Sequence, residues 1–302
     1  YVTASMFVIG VSAFMLLKKR HIDFAKRSMT VALAFGFCAM AGSALTGDLS
    51  AVGVTNHQPA KLAAMEAEYE TQEAPASWSI FAIPNEEKME NTFAIKVPWL
   101  LGIIATHSLD KEVIGLRDIV AQNEERIKNG AIAHQLLTKL RQGNNDPSVY
   151  EAFKQHENDL GYGLLLVEHA ADPLNPTEAE IKTAARNSVP SVWISYFSFR
   201  LMLGLLGVAG ILVLGTAFFL WYKRDLENRT LFLKCLLWAI PVPFLACEFG
   251  WILAELGRQP WAIQGILPTF MATSSLSVVD VALSLICFIA IYTVFLIIEM
   301  YL

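Results

Sequence analysis

Five long apolar blocks, nearly free of charge, constrain this chain more than any other feature. They cover residues 1–17, 28–46, 192–222, 231–256 and 277–302. A hydrocarbon core of roughly 30 Å takes about 20 helical residues to cross, so the first block is short and the others suffice. Backbone groups in lipid must be satisfied within their own segment, which makes each block an expected transmembrane α-helix. Composition agrees: 17% of residues are charged and 54% hydrophobic, whereas a soluble chain carries about 25% charged residues. That balance excludes a water-soluble globule for much of the chain, and disorder with it. The formal net charge of -5 leaves no basic footprint for nucleic acid. Cys38, Cys235, Cys247 and Cys287 all lie in apolar blocks without metal-ligand spacing and read as small hydrophobes.

Basic residues orient the blocks. Residues 18–27 hold Lys18, Lys19, Arg20, Lys26 and Arg27, and residues 223–229 hold Lys223, Arg224 and Arg229. Both loops fall on one side if all five blocks cross, and the positive-inside rule makes that side cytoplasmic. Residues 47–190 are then external, as are 257–276. This insertion carries 21 acidic against 12 basic side chains. The division expected is two transmembrane helices in 1–46, an external region in 47–190 and three transmembrane helices in 191–302. Because Tyr1 already lies inside an apolar run whose basic residues follow it, a signal peptide is a poor reading. A longer protein with residues upstream is the expectation.

The insertion is too long for a bare connection. Residues 59–70, rich in Ala, Leu and Glu, read as a helix. Residues 112–142 read as one or two amphipathic helices on Val113, Ile114, Leu116, Ile119, Val120, Ile132, Leu136, Leu137 and Leu140. Residues 143–147 read as a turn. Thr177-Glu178-Ala179-Glu180 has the pattern of a helix N-terminus.

Ionisable groups inside apolar blocks are costly and therefore candidates for function. Arg200, Glu248 and Glu255 qualify. Glu248 and Glu255, seven apart, share a helical stripe with Trp251 between them and Arg258 one turn on. Such a stripe faces a bundle interior, a cofactor or water; the plainer alternative is a Glu255–Arg258 salt bridge that only fixes packing. Arg200 alone could reach the interface by snorkelling, and Met202 alone could be a gap-filler. The six histidines, His21, His57, His107, His134, His156 and His169, all fall outside the expected spans. A membrane haem held by two histidines cannot be built from them.

The string Gly250-Trp251-Ile252-Leu253-Ala254-Glu255-Leu256-Gly257-Arg258-Gln259-Pro260-Trp261 resembles subunit I of the cytochrome bd quinol oxidases. So do Lys61-Leu62-Ala63-Ala64-Met65-Glu66-Ala67-Glu68, similar to the quinol-binding Q-loop in its long form, and Phe199-Arg200-Leu201-Met202. Leu100 to Thr106 and Asp159 to Leu165 resemble further loop segments of the family. The resemblance implies an all-α integral membrane fold, five transmembrane helices of a larger multi-helix bundle plus a long external, mostly helical loop region. It implies a respiratory oxidase of the bacterial inner membrane that oxidises quinol at the periplasmic face. Electrons would pass through haems b to haem d, where dioxygen is reduced to water. Met202 matches an axial ligand of the low-spin haem b iron, and Glu255 the axial ligand of the high-spin haem b iron. Trp251 would pack near the haems, with Arg200 and Arg258 near propionates and Gln259 and Trp261 beside them. Lys61 and Glu66 match quinol-binding and oxidation residues. The implied partners are the subunit's own upstream helices with the remaining haem ligands, a second large subunit, small single-span subunits, lipid and quinol. A fragment with half of the ligation would be inactive alone. A secondary transporter or ion pathway built on Glu248, Glu255 and Arg258 is the rival reading, and a site-free structural subunit the blandest.

Overall fold

The computed structural model describes residues 1–103, 108, 110, 112–143 and 146–301. Ile104, Ala105 and Thr106 of the family-like segment, His107, the Asn144-Asn145 centre of the expected turn and Leu302 lie outside the described residues. In chain order the helices are α1 (Val2–Leu17), α2 (Ile22–His57), α3 (Pro59–Glu66), α4 (Leu116–Arg141), α5 (Pro147–His156), α6 (Leu160–Leu164), α7 (Leu166–His169) and α8 (Glu178–Asn187). They continue with α9 (Val192–Ala217), α10 (Thr230–Trp238), α11 (Val242–Leu256) and α12 (Val278–Tyr301). Among the described residues four helical stretches have the length and composition to cross a membrane: Ile22–His57, Glu178–Tyr222, Thr230–Leu256 and Val278–Tyr301. The apolar α1 is shorter, at 16 residues.

Three boundaries differ from expectation. Helix α2 does not stop near residue 46 but runs 36 residues, about 54 Å at 1.5 Å per residue. Gly47 and Gly53 each cost only about 1 kcal/mol in a helix, too little to end it. His57, expected outside the spans, closes its last turn. The fourth apolar block breaks between Trp238 and Val242, where Pro241 and Pro243 lack the N–H that an uninterrupted helix needs. The helix expected over 59–70 ends at Glu66, because Ala67 turns left-handed at φ 53°.

The two basic loops meet: Lys26 Nζ lies 2.9 Å from Glu227 Oε2, so both sit at one end of the bundle. The core at that end joins Met6, Ile9, Leu16, Met29, Leu33, Val213, Leu226, Leu233 and Leu236 from α1, α2, α9, α10 and the turn before α10. Helix α9 runs on as a π-helical turn, Phe218–Tyr222, and packs along α11. No residue of α12 is buried. A helix apolar on every side belongs in lipid or against further helices.

The insertion is mostly helical, as expected, with one addition. Strands β1 (Trp78–Asn85) and β2 (Glu90–Val97) form an antiparallel hairpin, with Ser79 opposite Lys96. A second, minimal pair joins β3 (Trp261–Ile263) to β4 (Leu267–Pro268). Residues 112–142 give a single helix, α4, that starts only at Leu116; Val113, expected on it, instead pairs with Gln72 in an isolated antiparallel bridge. The Thr177 cap is a full capping box, in which Glu180 Oε2 accepts from the Thr177 N–H at 2.7 Å. Helices α4 and α6 approach backbone to backbone through Gly130 and Gly163, where any Cβ would collide. The insertion closes over the N-terminal end of α9 and the C-terminal end of α11 through Ala60, Ala63, Ala64, Ala82, Val192 and Tyr196, and through Leu62, Met65, Leu101 and Leu253.

Candidate functional site

Helix α3 begins with Pro59 at its first turn, where a missing N–H costs nothing, and continues through alanines that pack closely. It bridges α9 and α11, and its two candidate side chains, Lys61 and Glu66, diverge. Lys61 reaches over the end of α11, where Nζ donates to Ala254 O at 3.4 Å, a favourable place for a cation among terminal carbonyls. Burial holds the Lys61 ammonium below the usual lysine value; Arg258 adds to this and Glu255 opposes it. Glu66, only 3% exposed, turns the other way. Arg200 Nη2 of α9 donates to its Oε2 at 2.7 Å and to Ser79 O at 2.6 Å. Burial pushes the Glu66 carboxyl up to about 7, against the pull of Arg200, and Glu68 adds to the rise.

The Arg200 guanidinium is enclosed by rings, with Tyr196 at 4.6 Å, Trp78 at 4.9 Å and Phe199 at 5.3 Å. Its Nε and Nη1 are buried and find no partner among the described residues. Buried donors left unmade are expensive, and a carboxylate laid against them would satisfy both. Two residues on, Met202 lies in the seam between α9 and α11: a Cβ at Gly250 would stand 3.0 Å from its sulfur. Gly250 therefore leaves the room that the thioether uses.

On α11, Glu248 and Trp251 face outward, with Trp251 63% exposed, and Glu255 follows on the same side. Arg258 Nε and Nη2 hold Glu255 Oε2 at 3.0 and 2.5 Å. The salt bridge considered from sequence thus exists, on an outward stripe that bare lipid would penalise. Gln259 donates to Glu255 O at 3.4 Å and accepts from Thr269 Oγ1 at 2.8 Å. The Trp261 main-chain N–H donates to Arg258 O at 3.0 Å, but its side chain packs away from these groups. It is 1% exposed in the insertion's core, its ring 4.9 Å from Tyr162 and its N–H given to Ser188 O at 3.1 Å. Its contacts are those of a packing residue.

A thioether, an outward carboxylate and a guanidinium with unmade donors suit haem: soft sulfur for iron and Arg for a propionate. The geometry thus joins Glu66 to Arg200, and Lys61 to the Glu255–Arg258 end of α11. Sequence reasoning missed Trp78, Ser79, Glu68 and Lys96. Glu68 was in view beside Glu66, yet nothing in a Glu-x-Glu pattern says that both acids are buried.

The sequence matches the family described as cytochrome bd terminal oxidase subunit I over residues 1–302. It is 43% identical to cytochrome bd-II ubiquinol oxidase subunit 1 of Escherichia coli (strain K12), covering 100% of this chain and 59% of that protein. It is 29% identical to cytochrome bd ubiquinol oxidase subunit 1 of Bacillus subtilis (strain 168), over 90% of this chain and 46% of that one. The chain thus spans about half the length of these relatives. In fold it is similar to the bd oxidase of Geobacillus thermodenitrificans, with a TM-score of 0.60 at 24% identity, over 98% of this chain and 52% of that one. With the whole sequence matched from first residue to last, the chain belongs to the cytochrome bd terminal oxidase subunit I family.

Proposed function

We propose that the chain is the quinol-oxidising and haem-facing portion of subunit I in an electrogenic quinol:oxygen oxidoreductase of the cytochrome bd type. The observation that carries the reading is Glu66: a buried carboxyl pushed up to about 7 and oriented by Arg200 is matched to accepting a proton near neutral pH. Oxidising a quinol to its quinone releases two protons and two electrons. Glu66 takes a hydroxyl proton, Arg200 holds the carboxylate in position, and Lys61 offers a donor to the substrate over the end of α11. Buried alanines and aromatic rings keep water from Glu66.

Met202 would hold the iron of a low-spin haem b and Glu255 that of a high-spin haem b. Arg200 and Arg258 would meet propionates, with Trp251 and Gln259 alongside and Trp261 steadying the loop from its core. When bound, the haems b and haem d supply the one-electron steps from quinol to dioxygen. The meeting of the two basic loops supports a cytoplasmic end there and a periplasmic insertion, so protons leave Glu66 outward. In this reading 1–46 and 191–302 are the membrane parts and 47–190 the quinol-binding region, in a bacterial inner membrane. Upstream helices of the same subunit, a second large subunit and small single-span subunits complete the enzyme, and the exposed faces of α12 suit such neighbours. This portion alone, with half of the haem ligation, is inactive. Family membership favours the oxidase over the transporter.

The test uses the intact membrane enzyme. Glu66→Gln is expected to abolish quinol turnover with the haem spectrum unchanged, and Met202→Leu to alter the low-spin haem bands. Normal quinol kinetics in Glu66→Gln would remove the assignment.

A further inference from the structure

Two carboxylates, not one, are buried where α3 ends. Glu66 is its last residue, Ala67 reverses the chain in the left-handed region, and the Glu68 N–H donates back to Ala63 O at 2.8 Å. That turn carries Glu68 inward as well, to 2% exposure. Ser79 of β1 serves both acids: its carbonyl accepts from the Arg200 that holds Glu66, and its hydroxyl donates to Glu68 Oε1 at 3.0 Å. Lys96, the cross-strand partner of Ser79, sets Nζ 2.8 Å from Glu68 Oε2. Gln72 donates to the same oxygen. The hairpin register thus delivers both a hydroxyl and an ammonium to one buried carboxylate. Lys96 is 37% exposed, so its charge is shared with water while that of Glu68 is not.

The charged groups around this pair are few. From α3 there is Glu66, from α9 Arg200 and from β2 Lys96; Glu70 and Asp118 are held outside it by Arg117 and Thr71. Two like charges in a low-dielectric layer repel more strongly than in water, and each raises the cost of ionising the other.

We propose that Glu68 is a positioning residue for quinol oxidation, its charge and its ion pair with Lys96 setting the pH at which Glu66 can take a proton from the substrate. The inference rests on the reading of Glu66 as the acceptor. Removing the Glu68 charge makes Glu66 easier to ionise; removing Lys96 leaves the Glu68 charge uncompensated and makes it harder.

The test is the pH profile of quinol turnover in the intact enzyme, together with the infrared carboxyl band that disappears in Glu66→Gln. Glu68→Gln, which keeps an acceptor for Ser79, is expected to move the acid limb and the band's titration downward by roughly half a pH unit or more. Lys96→Met is expected to move both upward, and the double variant E68Q/K96M to follow Glu68→Gln. A folding defect would lower turnover without moving the two in opposite senses. Limbs that stay at the wild-type pH, or move together, overturn the proposal. Turnover that survives in Glu66→Gln overturns the acceptor reading itself; turnover lost there with unmoved limbs in the other variants overturns this inference alone.

Discussion

Arg200 Nη2 and Glu66 Oε2, 134 residues apart in sequence, stand 2.7 Å from each other and join the external insertion to α9. Both side chains are removed from water, so this is not a surface pair of negligible worth. Burying two charges is expensive, and losing one partner strands the other. The pair lies two residues before Met202, so what steadies Arg200 also steadies the turn that presents the thioether.

The first prediction concerns pH. The Glu66 carboxyl in the folded protein titrates near 7, above its ordinary value, because burial disfavours the charged form. An acceptor must be deprotonated to act. Quinol oxidation is therefore expected to rise with pH through about 7 and to fall off below it. The measurement is quinol turnover between acid and neutral pH at saturating substrate. A rate flat across that window would remove Glu66 from the role.

Arg200→Leu should strand Glu66 in an apolar layer. The expected cost is about 3–5 kcal/mol of the contact between insertion and bundle, read as faster proteolysis of the insertion. The acid limb should also move upward, since the group that favours the carboxylate is gone. Arg200→Lys should recover only part: an ammonium can reach Glu66 but cannot stack flat between Tyr196 and Trp78. Equal behaviour of Lys and Arg would show that the rings contribute nothing.

Gly250→Ala tests the thioether from the opposite helix. Its Cβ would stand 3.0 Å from Met202 Sδ, a contact tight enough that the sulfur must give by a few tenths of an ångström. The thioether itself remains present. Low-spin haem bands and midpoint potential are expected to change with protein yield preserved. A spectrum identical to wild type would separate Met202 from iron.

The apolar blocks were legible because a lipid-crossing helix needs only length and the absence of charge. Their ends were not. The continuation of α2 past Gly47 rests on weak local costs, while the break before Val242 was signalled by Pro241 and Pro243 and read over. The hairpin was hidden because its turn, Glu86 to Met89, has no glycine and is built of helix-favouring Glu, Lys and Met, although the flanking Trp, Ile, Phe and Val suit strands. Glu255 and Arg200 stood out as charges inside apolar blocks, whereas Lys61, Glu66 and the role of Met202 came into view through family likeness. The pairing of Glu66 with Arg200, and of Glu68 with Lys96, depends on contacts across 134 and 28 residues. Local patterns carry no trace of either.

Trp261 supplies the last prediction, because its place in the family string suggests a cofactor and its contacts point to packing. Trp261→Ala would empty a fully buried site beside Tyr162, Leu165 and Ala185, a loss of about 3–5 kcal/mol. Trp261→Phe keeps a ring but leaves Ser188 O without its donor, a loss nearer 1–3 kcal/mol. If the residue acts through packing, insertion stability should fall in that order, Ala below Phe below Trp. Haem bands in the protein that remains folded should stay where they are. A shifted haem spectrum in Trp261→Phe, with proteolysis of the insertion unchanged, would return the residue to the cofactor.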